Sequence, residues 1–132
     1  MNKQLTKTEQ QFYKMMKKAF MLTRISIKTK ISIEELCNEQ KNIVFFFGNE
    51  KELIKDVVID FVLYRNNKAF AGIEIIDEDD ELNMTTGEKL LVKTIFTRLG
   101  YEFFTVTDPD KLKEATEIIK EKSLQLIKSN IF

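Results

Sequence analysis

The sequence predicts an α/β domain in which helices cover a mixed four-stranded sheet. Two strongly apolar stretches, residues 57–64 and 71–76, are separated by a short polar turn and predict a central β-hairpin. Segments with helical spacing and N-capping patterns lie on both sides of this hairpin in the sequence. The chain has 132 residues, of which 43% are hydrophobic. We therefore expect one globular domain over residues 1–132, with a core of its own.

The first predicted element is a helix from about Lys7 to Met21. Apolar side chains recur there at intervals of three and four residues, and Thr6 and Glu9 have the spacing of a capping box. Residues 25–31 then alternate between apolar and polar side chains. This alternation predicts a half-buried strand.

The next segments are less regular. Ser32 and Glu35 repeat the capping pattern and predict a short helix, whereas residues 42–51 fit either a strand or a buried helical turn. The two apolar strands follow, joined at Asn66 and Asn67. Asparagine tolerates the left-handed backbone of tight turns, so we expect the hairpin to turn there.

The last third of the chain predicts a helix, a strand and a final helix. A third capping pattern at residues 85–88 opens the helix, and Gly100 is well placed to end it. Residues 101–106 predict a strand, after which Asp108 and Pro109 form a typical helix start. The predicted order is therefore helix, strand, strand, strand, helix, strand, helix.

One carboxylate interrupts each of the two apolar strands of the hairpin, Asp60 in the first and Glu74 in the second. A lone acid in a buried strand is costly unless it is paired, hydrogen-bonded or bound to a cation. If the chain turns at residues 66–67, positions 60 and 74 lie roughly opposite each other on one face. The pair is therefore a candidate metal site.

The composition restricts the chemistry available to the chain. It contains no histidine, which excludes histidine-dependent nucleophilic catalysis and the zincin motif. The single cysteine, Cys37, excludes an intrachain disulfide and suits a reducing cytoplasm. Carboxylates favour oxygen-ligated Mg²⁺ or Mn²⁺ as cofactor. No apolar run approaches the roughly 20 residues that span a bilayer, so we expect a cytoplasmic protein that does not enter the membrane.

The charge is balanced overall but unevenly distributed. Residues 1–30 contain eight basic residues and one acid, Glu9, whereas residues 74–81 contain six acids and no base. A basic segment beside an acidic one can steer nucleic acid toward a cation site, although solvated charged faces explain the same pattern.

The order of elements, with Asp60 before residues 61–63 and Glu74 after Ile73, resembles the restriction-endonuclease-like superfamily and its PD-(D/E)xK motif. More narrowly, the chain resembles a bacterial domain family of unknown function within that superfamily. The stretches that carry the resemblance are residues 6–13, 30–36, 59–61 and 72–74. It covers roughly residues 5 to 106 and implies a restriction-endonuclease-like core.

The resemblance implies magnesium-dependent cleavage of phosphodiester bonds, in DNA rather than RNA. Asp60 matches the first strand acid, Glu74 the second, and Glu9 the helix acid that faces the site. The chain departs from the motif two residues after Glu74, where Ile76 replaces the usual lysine.

Other residues can supply the charged group that is missing at position 76. Asp77 is the nearest further acid, and a migrated lysine is expected on the next helix, where Lys89 and Lys93 share one face. The expected catalytic residues are Glu9, Asp60, Glu74 and Lys93. The expected metal ligands are Asp60, Glu74 and Asp77.

Two functions follow from these observations. The first is a metal-dependent nuclease. The second is a nuclease-fold module that has lost catalysis and binds protein or nucleic acid, as in phage or bacterial defence and counter-defence; it is favoured by the missing lysine and by a pI near 6.4.

Overall fold

A mixed four-stranded sheet lies at the centre of the computed structural model, which describes residues 5–39, 50–53, 56–76 and 85–129. Its strands are β1 (Ile25–Ser32), β2 (Val58–Arg65), β3 (Lys68–Ile75) and β4 (Glu102–Val106). The helices are α1 (Lys7–Ala19), α2 (Ile33–Glu39), α3 (Glu50–Leu53), α4 (Thr86–Leu99) and α5 (Leu112–Ser129). The predicted α/β class, with a mixed four-stranded sheet flanked by helices, is confirmed. Relative to the predicted order of seven elements, the structure adds two short helices, α2 and α3, between β1 and β2; α2 is the short helix indicated by Ser32 and Glu35. Most of the ambiguous stretch 42–51 lies outside the described residues.

The strands lie in the order β1-β2-β3-β4. The pairs β1–β2 and β2–β3 are antiparallel, while β3 and β4 are parallel and connected through α4. A parallel pair of neighbouring strands needs such a crossover, whereas antiparallel neighbours can be joined by a tight turn. The mixed sheet expected from the sequence is therefore present.

The central hairpin turns at the two predicted asparagines. Asn66 and Asn67 have φ values of 54° and 63°, the left-handed backbone that a two-residue hairpin turn requires. The register then shifts by one residue beside Leu63 and Tyr64. A regular hairpin from this turn would set position 60 opposite Ile73, but the shift makes Phe61 the partner of Ile73. Position 60 thereby comes level with position 74.

Helices cover both faces of the sheet. The first core lies between the sheet and helices α1 and α5, and includes Phe12, Phe61, Ile73 and Ile119. The second core lies between the other face and helices α2 and α4. Its buried side chains include Leu36, Ile59, Val62, Ile95 and Phe96. The result is a three-layer arrangement of helices, sheet and helices.

The side-chain alternation of β1 and β2 reverses at one level of the sheet. On β1, Ile27 packs against the first core but Ile31 packs against the second; on β2, Phe61 belongs to the first core and Ile59 to the second. Regular strands would keep residues two or four apart on one face. The reversal occurs at the level of Lys30 and Asp60.

The helix ends follow the sequence closely. Capping boxes are present at the starts of α1 and α4, and Gly100 ends α4 with a left-handed φ of 76°. Two boundaries differ from the prediction. Helix α1 ends at Ala19 rather than near Met21, and Asp108 caps a short 3₁₀ turn, Pro109–Lys111, before α5 begins. Within the described residues, no helix combines the length and apolar character needed to cross a bilayer.

Candidate functional site

Three charged side chains from three different elements meet beside the first core: Glu9 of α1, Lys30 of β1 and Asp60 of β2. The Lys30 Nζ donates hydrogen bonds to Glu9 Oε2 and to Asp60 Oδ1, both with a donor–acceptor distance of 2.8 Å. The three side chains are 3%, 15% and 13% exposed for Glu9, Lys30 and Asp60. We call this group the acid–lysine triad.

Glu9 reaches the triad because of its position on α1. It precedes Phe12 by three residues and Met16 by seven, so helical spacing sets all three on the buried face. Its two carboxylate oxygens have separate tasks: Oε1 accepts the Thr6 backbone N–H at 2.8 Å, and Oε2 accepts the Lys30 ammonium. Glu9 therefore completes the capping box of α1 and accepts the Lys30 hydrogen bond at the same time.

Lys30 reaches the triad through an unusual backbone conformation. Its φ is 51°, in the left-handed region that a non-glycine residue occupies only at a cost of about 1–2 kcal/mol. The β1–β2 register pairs Thr29 with Phe61 and Ile31 with Ile59, and Lys30 falls between these pairs. The irregularity turns the lysine out of the strand alternation and toward α1.

Asp60 joins the triad to the next strand. Its Oδ2 accepts the backbone N–H of Ile75 at 2.9 Å. The pairing of β2 with β3 ends at Phe61 and Ile73, so the Ile75 N–H lies beyond the last paired residues. The Asp60 carboxylate accepts this N–H in place of a β2 backbone carbonyl. Through Asp60 and Lys30, the triad ties together α1, β1, β2 and β3.

The electrostatics of the triad assign different protonation behaviour to its members. Burial raises the pKa of Asp60 to about 7, and the nearby negative charge of Glu9 raises it further. The hydrogen bond from Lys30 lowers the Asp60 pKa but does not outweigh burial. Burial also disfavours ionised Glu9, but the hydrogen bonds from Lys30 and the Thr6 backbone outweigh it and lower the pKa of Glu9. Burial disfavours charged Lys30 too, yet its hydrogen bonds to Asp60 and Glu9 raise the Lys30 pKa. Near neutral pH, Asp60 is thus the member that exchanges a proton.

Glu74 does not join the triad. Its side chain is buried, at 3% exposed, but its strand neighbours Ile73 and Ile75 both pack in the first core. Alternation along β3 therefore directs Glu74 to the opposite face of the sheet, which α4 covers. Gly72, two residues earlier, lies on that face too, since a Cβ added there would meet the Phe96 ring of α4. The register shift brings positions 60 and 74 level, but the reversal at Asp60 separates their side chains.

The remaining predicted site residues lie elsewhere. Lys93 is exposed on α4, and Lys89 lies one turn earlier on the same helix, which packs on the face of the sheet opposite to α1. Asp77 lies outside the described residues. The lysine that the structure brings to the acids is Lys30. Its alternating strand sequence predicts a solvent-facing side chain, and no sequence signal indicates the left-handed backbone that turns it inward.

The donor set of the triad does not fit a divalent cation in this arrangement. Magnesium takes close to six oxygen ligands, several of them waters. All four carboxylate oxygens of the two acids already accept N–H groups of the protein. Glu9 Oε1 accepts from Thr6 and Asp60 Oδ2 from Ile75, while Glu9 Oε2 and Asp60 Oδ1 both accept from Lys30. Among the described residues, no group of three or more His, Cys, Asp or Glu side chains is arranged to hold a metal. Magnesium or manganese therefore stays a prediction.

Comparison of the chain with protein-family models, with curated proteins and with solved structures gave no match.

Proposed function

We propose that the chain is a nucleic-acid-binding domain of nuclease-like architecture, in which the Lys30 ammonium takes the position of a divalent cation between two acids. In this proposal the domain binds DNA through the basic surface of α1 and does not cleave it. The observation that carries the proposal is the pair of 2.8 Å contacts from Lys30 Nζ to Glu9 and Asp60.

An ammonium suits this position better than a metal ion does. It is a compact charge with three hydrogen-bond donors, two of which the acids already accept. The triad is also too buried for a phosphodiester to reach, since Glu9, the most enclosed member, is only 3% exposed. Both features support a structural role for the acids rather than a hydrolytic one.

The outer face of α1 supports nucleic acid as the partner. Lys7, Lys14 and Lys18 recur at spacings of seven and four, so they share one face of the helix, and all three are exposed. This face is opposite to Glu9, which is the only acid in α1. The stripe extends about 17 Å along the helix at 1.5 Å per residue. We call these three residues the lysine stripe.

The lysine stripe matches the charge spacing of nucleic acid. One strand of a duplex carries a phosphate about every 3.4 Å, so a stripe of this length lies alongside about five of them. Such contacts provide sequence-independent affinity that falls steeply with salt. The near-neutral net charge of the chain does not oppose this, because the local charge of the surface governs the contact.

Fluorescence anisotropy with a labelled DNA duplex tests the proposal. At about 50 mM salt we expect micromolar binding, with a slope of log K against log salt of about −3 for three to four phosphate contacts. Lys14→Glu combined with Lys18→Glu should abolish most of this binding. Lys122→Glu, on α5 beside Glu102 of β4, is the matched control at the far edge of the sheet.

The same protein should be incubated with DNA and Mg²⁺ or Mn²⁺. Intact DNA with salt-dependent binding supports the proposal, and no binding at low salt would overturn it.

A nuclease is the second candidate, because two acids and a lysine amine meet within hydrogen-bonding distance, as the resembled superfamily requires. Metal-dependent cleavage that is lost in both Lys30→Met and Asp60→Asn would establish that candidate instead.

A further inference from the structure

Next to the lysine stripe, a groove of about 380 Å³ opens at the corner where α1 leads into β1. Its floor is apolar, with Phe20 and Ile25 almost fully buried, and the Tyr13 ring forms one wall. Lys17 and Arg24 stand at its rim, and none of the described residues that line it is acidic. Its volume is within the range of sites that enclose small ligands. We call it the corner groove.

Tyr13 is held as a rigid platform in this groove. Its ring stacks on the buried Phe61 ring, with centroids 6.1 Å apart and an interplanar angle of 19°. The Lys17 ammonium lies 5.3 Å from the centroid of the same ring. Lys17 stands over the ring but is an exposed side chain, so its ammonium can move to a phosphate. Proteins that bind single strands stack bases on aromatic rings set in a positively charged groove, and Tyr13 with Lys17 provides both parts.

The turn beside the groove is strained and exposes apolar side chains. Leu22 and Arg24 have φ values of 72° and 66°, in the left-handed region that branched and long side chains rarely occupy. Leu22 is 98% exposed and Met21 63% exposed, and both line the groove. Backbone strain of this kind concentrates at ligand-binding positions.

We propose that the corner groove takes an unpaired base, so that the domain binds single-stranded nucleic acid in preference to duplex. This inference rests on the proposed function, since the lysine stripe supplies the phosphate contacts. Lys17 and Arg24 complement the phosphates that flank the base, and Tyr13 with the apolar floor receives its ring. A duplex keeps its bases inside and offers the corner groove only phosphates. Single strands should therefore bind about tenfold more tightly, the effect of one stacked base.

Anisotropy titrations of the full chain with labelled oligo(dT) and with a duplex of equal length test the preference at one salt concentration. Tyr13→Leu should bring single-strand affinity down to that of the duplex, while Tyr13→Phe should keep the preference. Because Tyr13 packs on Phe61, Leu22→Ser provides a second variant whose exposed side chain supports no packing. The Leu22→Ser variant should reduce the ratio of single-strand to duplex affinity about threefold. Thermal melts confirm that each variant is folded.

Ultraviolet crosslinking of 4-thiothymidine oligonucleotides gives a readout that a purely structural role of Tyr13 would not affect. Crosslinks at residues 13–22 support the inference. Equal affinity for single strand and duplex, both lost in the Lys14→Glu, Lys18→Glu variant, would overturn the corner groove as a base site and leave the proposed function standing. Absence of binding to either oligonucleotide would overturn both.

Discussion

Replacing Lys30 by methionine removes the only positive charge of the acid–lysine triad and leaves two buried carboxylates facing each other. Removing one partner of a buried ion pair typically costs 3–5 kcal/mol of folding free energy, because the remaining charge is left uncompensated. Lys30 and Asp60 are 15% and 13% exposed, so water relieves part of this cost. We therefore expect Lys30→Met to lose about 3 kcal/mol at pH 8. For a domain of this size, that loss lowers Tm by about 12 °C.

The loss should depend on pH in a defined direction. In the variant, the hydrogen bonds from Lys30 no longer offset burial, so the pKa values of Glu9 and Asp60 both rise in the folded state. The folded protein then holds protons that the unfolded chain releases above pH 4, and its stability increases as the pH falls. At pH 5 the difference from the wild type should shrink to about half its value at pH 8.

Urea unfolding followed by circular dichroism at pH 5 and pH 8 measures both effects. Lys28→Met is the matched control, because Lys28 lies two residues earlier on β1 and is exposed, with its ammonium 4.5 Å from the Tyr64 ring. That variant should lose less than about 1 kcal/mol, at either pH. Equal losses in the two variants, or a Lys30→Met loss that does not change with pH, would refute the account of the triad.

Two further predictions concern the same sheet. The stability of the wild type should fall as the pH rises from about 4 to about 7, because folded Asp60 keeps a proton that the unfolded chain loses near its ordinary pKa. Asp60→Asn mimics the protonated acid and should flatten this part of the pH profile in thermal melts; an unchanged profile would contradict the raised pKa. Gly72→Ala sets a Cβ 2.5 Å from the Phe96 ring and should destabilise the domain by about 1–3 kcal/mol in urea unfolding, unlike Gly87→Ala, where the Cβ meets nothing.

The local elements of the fold were predictable from the sequence because their signals are local. Capping boxes, the paired asparagines and Gly100 each fix the backbone within a few residues, and all lie where the sequence indicates. The mixed sheet and the helical layers followed from the order of these elements. The boundaries that moved, at the end of α1 and the start of α5, are where helices fray or tighten into 3₁₀ turns.

The site was only partly predictable, because its geometry depends on two irregularities that leave no local signal. Positions 60 and 74 lie at one level of the sheet, as predicted, but only because of the register shift beside Leu63, which a period-two pattern cannot reveal. The left-handed Lys30 then reverses the strand faces, which brings Lys30 and Asp60 to Glu9 and leaves Glu74 on the other side. Two acids of the predicted set thus meet, and the lysine comes from a strand rather than from α4.

The triad lies against the buried face of α1 and the lysine stripe lies on its exposed face. We therefore expect the two groups to have separate effects on binding. Glu9 fixes the buried face of α1 to β1 and β2 through Lys30, while Lys7, Lys14 and Lys18 face outward. Lys30 is too buried to contact a phosphate, so Lys30→Met should leave the salt slope of duplex binding unchanged under conditions where the variant is folded. Lys14→Glu with Lys18→Glu should reduce the slope by about 2, one contact for each lysine lost. A reduced slope in Lys30→Met would mean that Lys30 contacts the phosphate backbone itself, and the triad would then belong to the binding surface rather than beneath it.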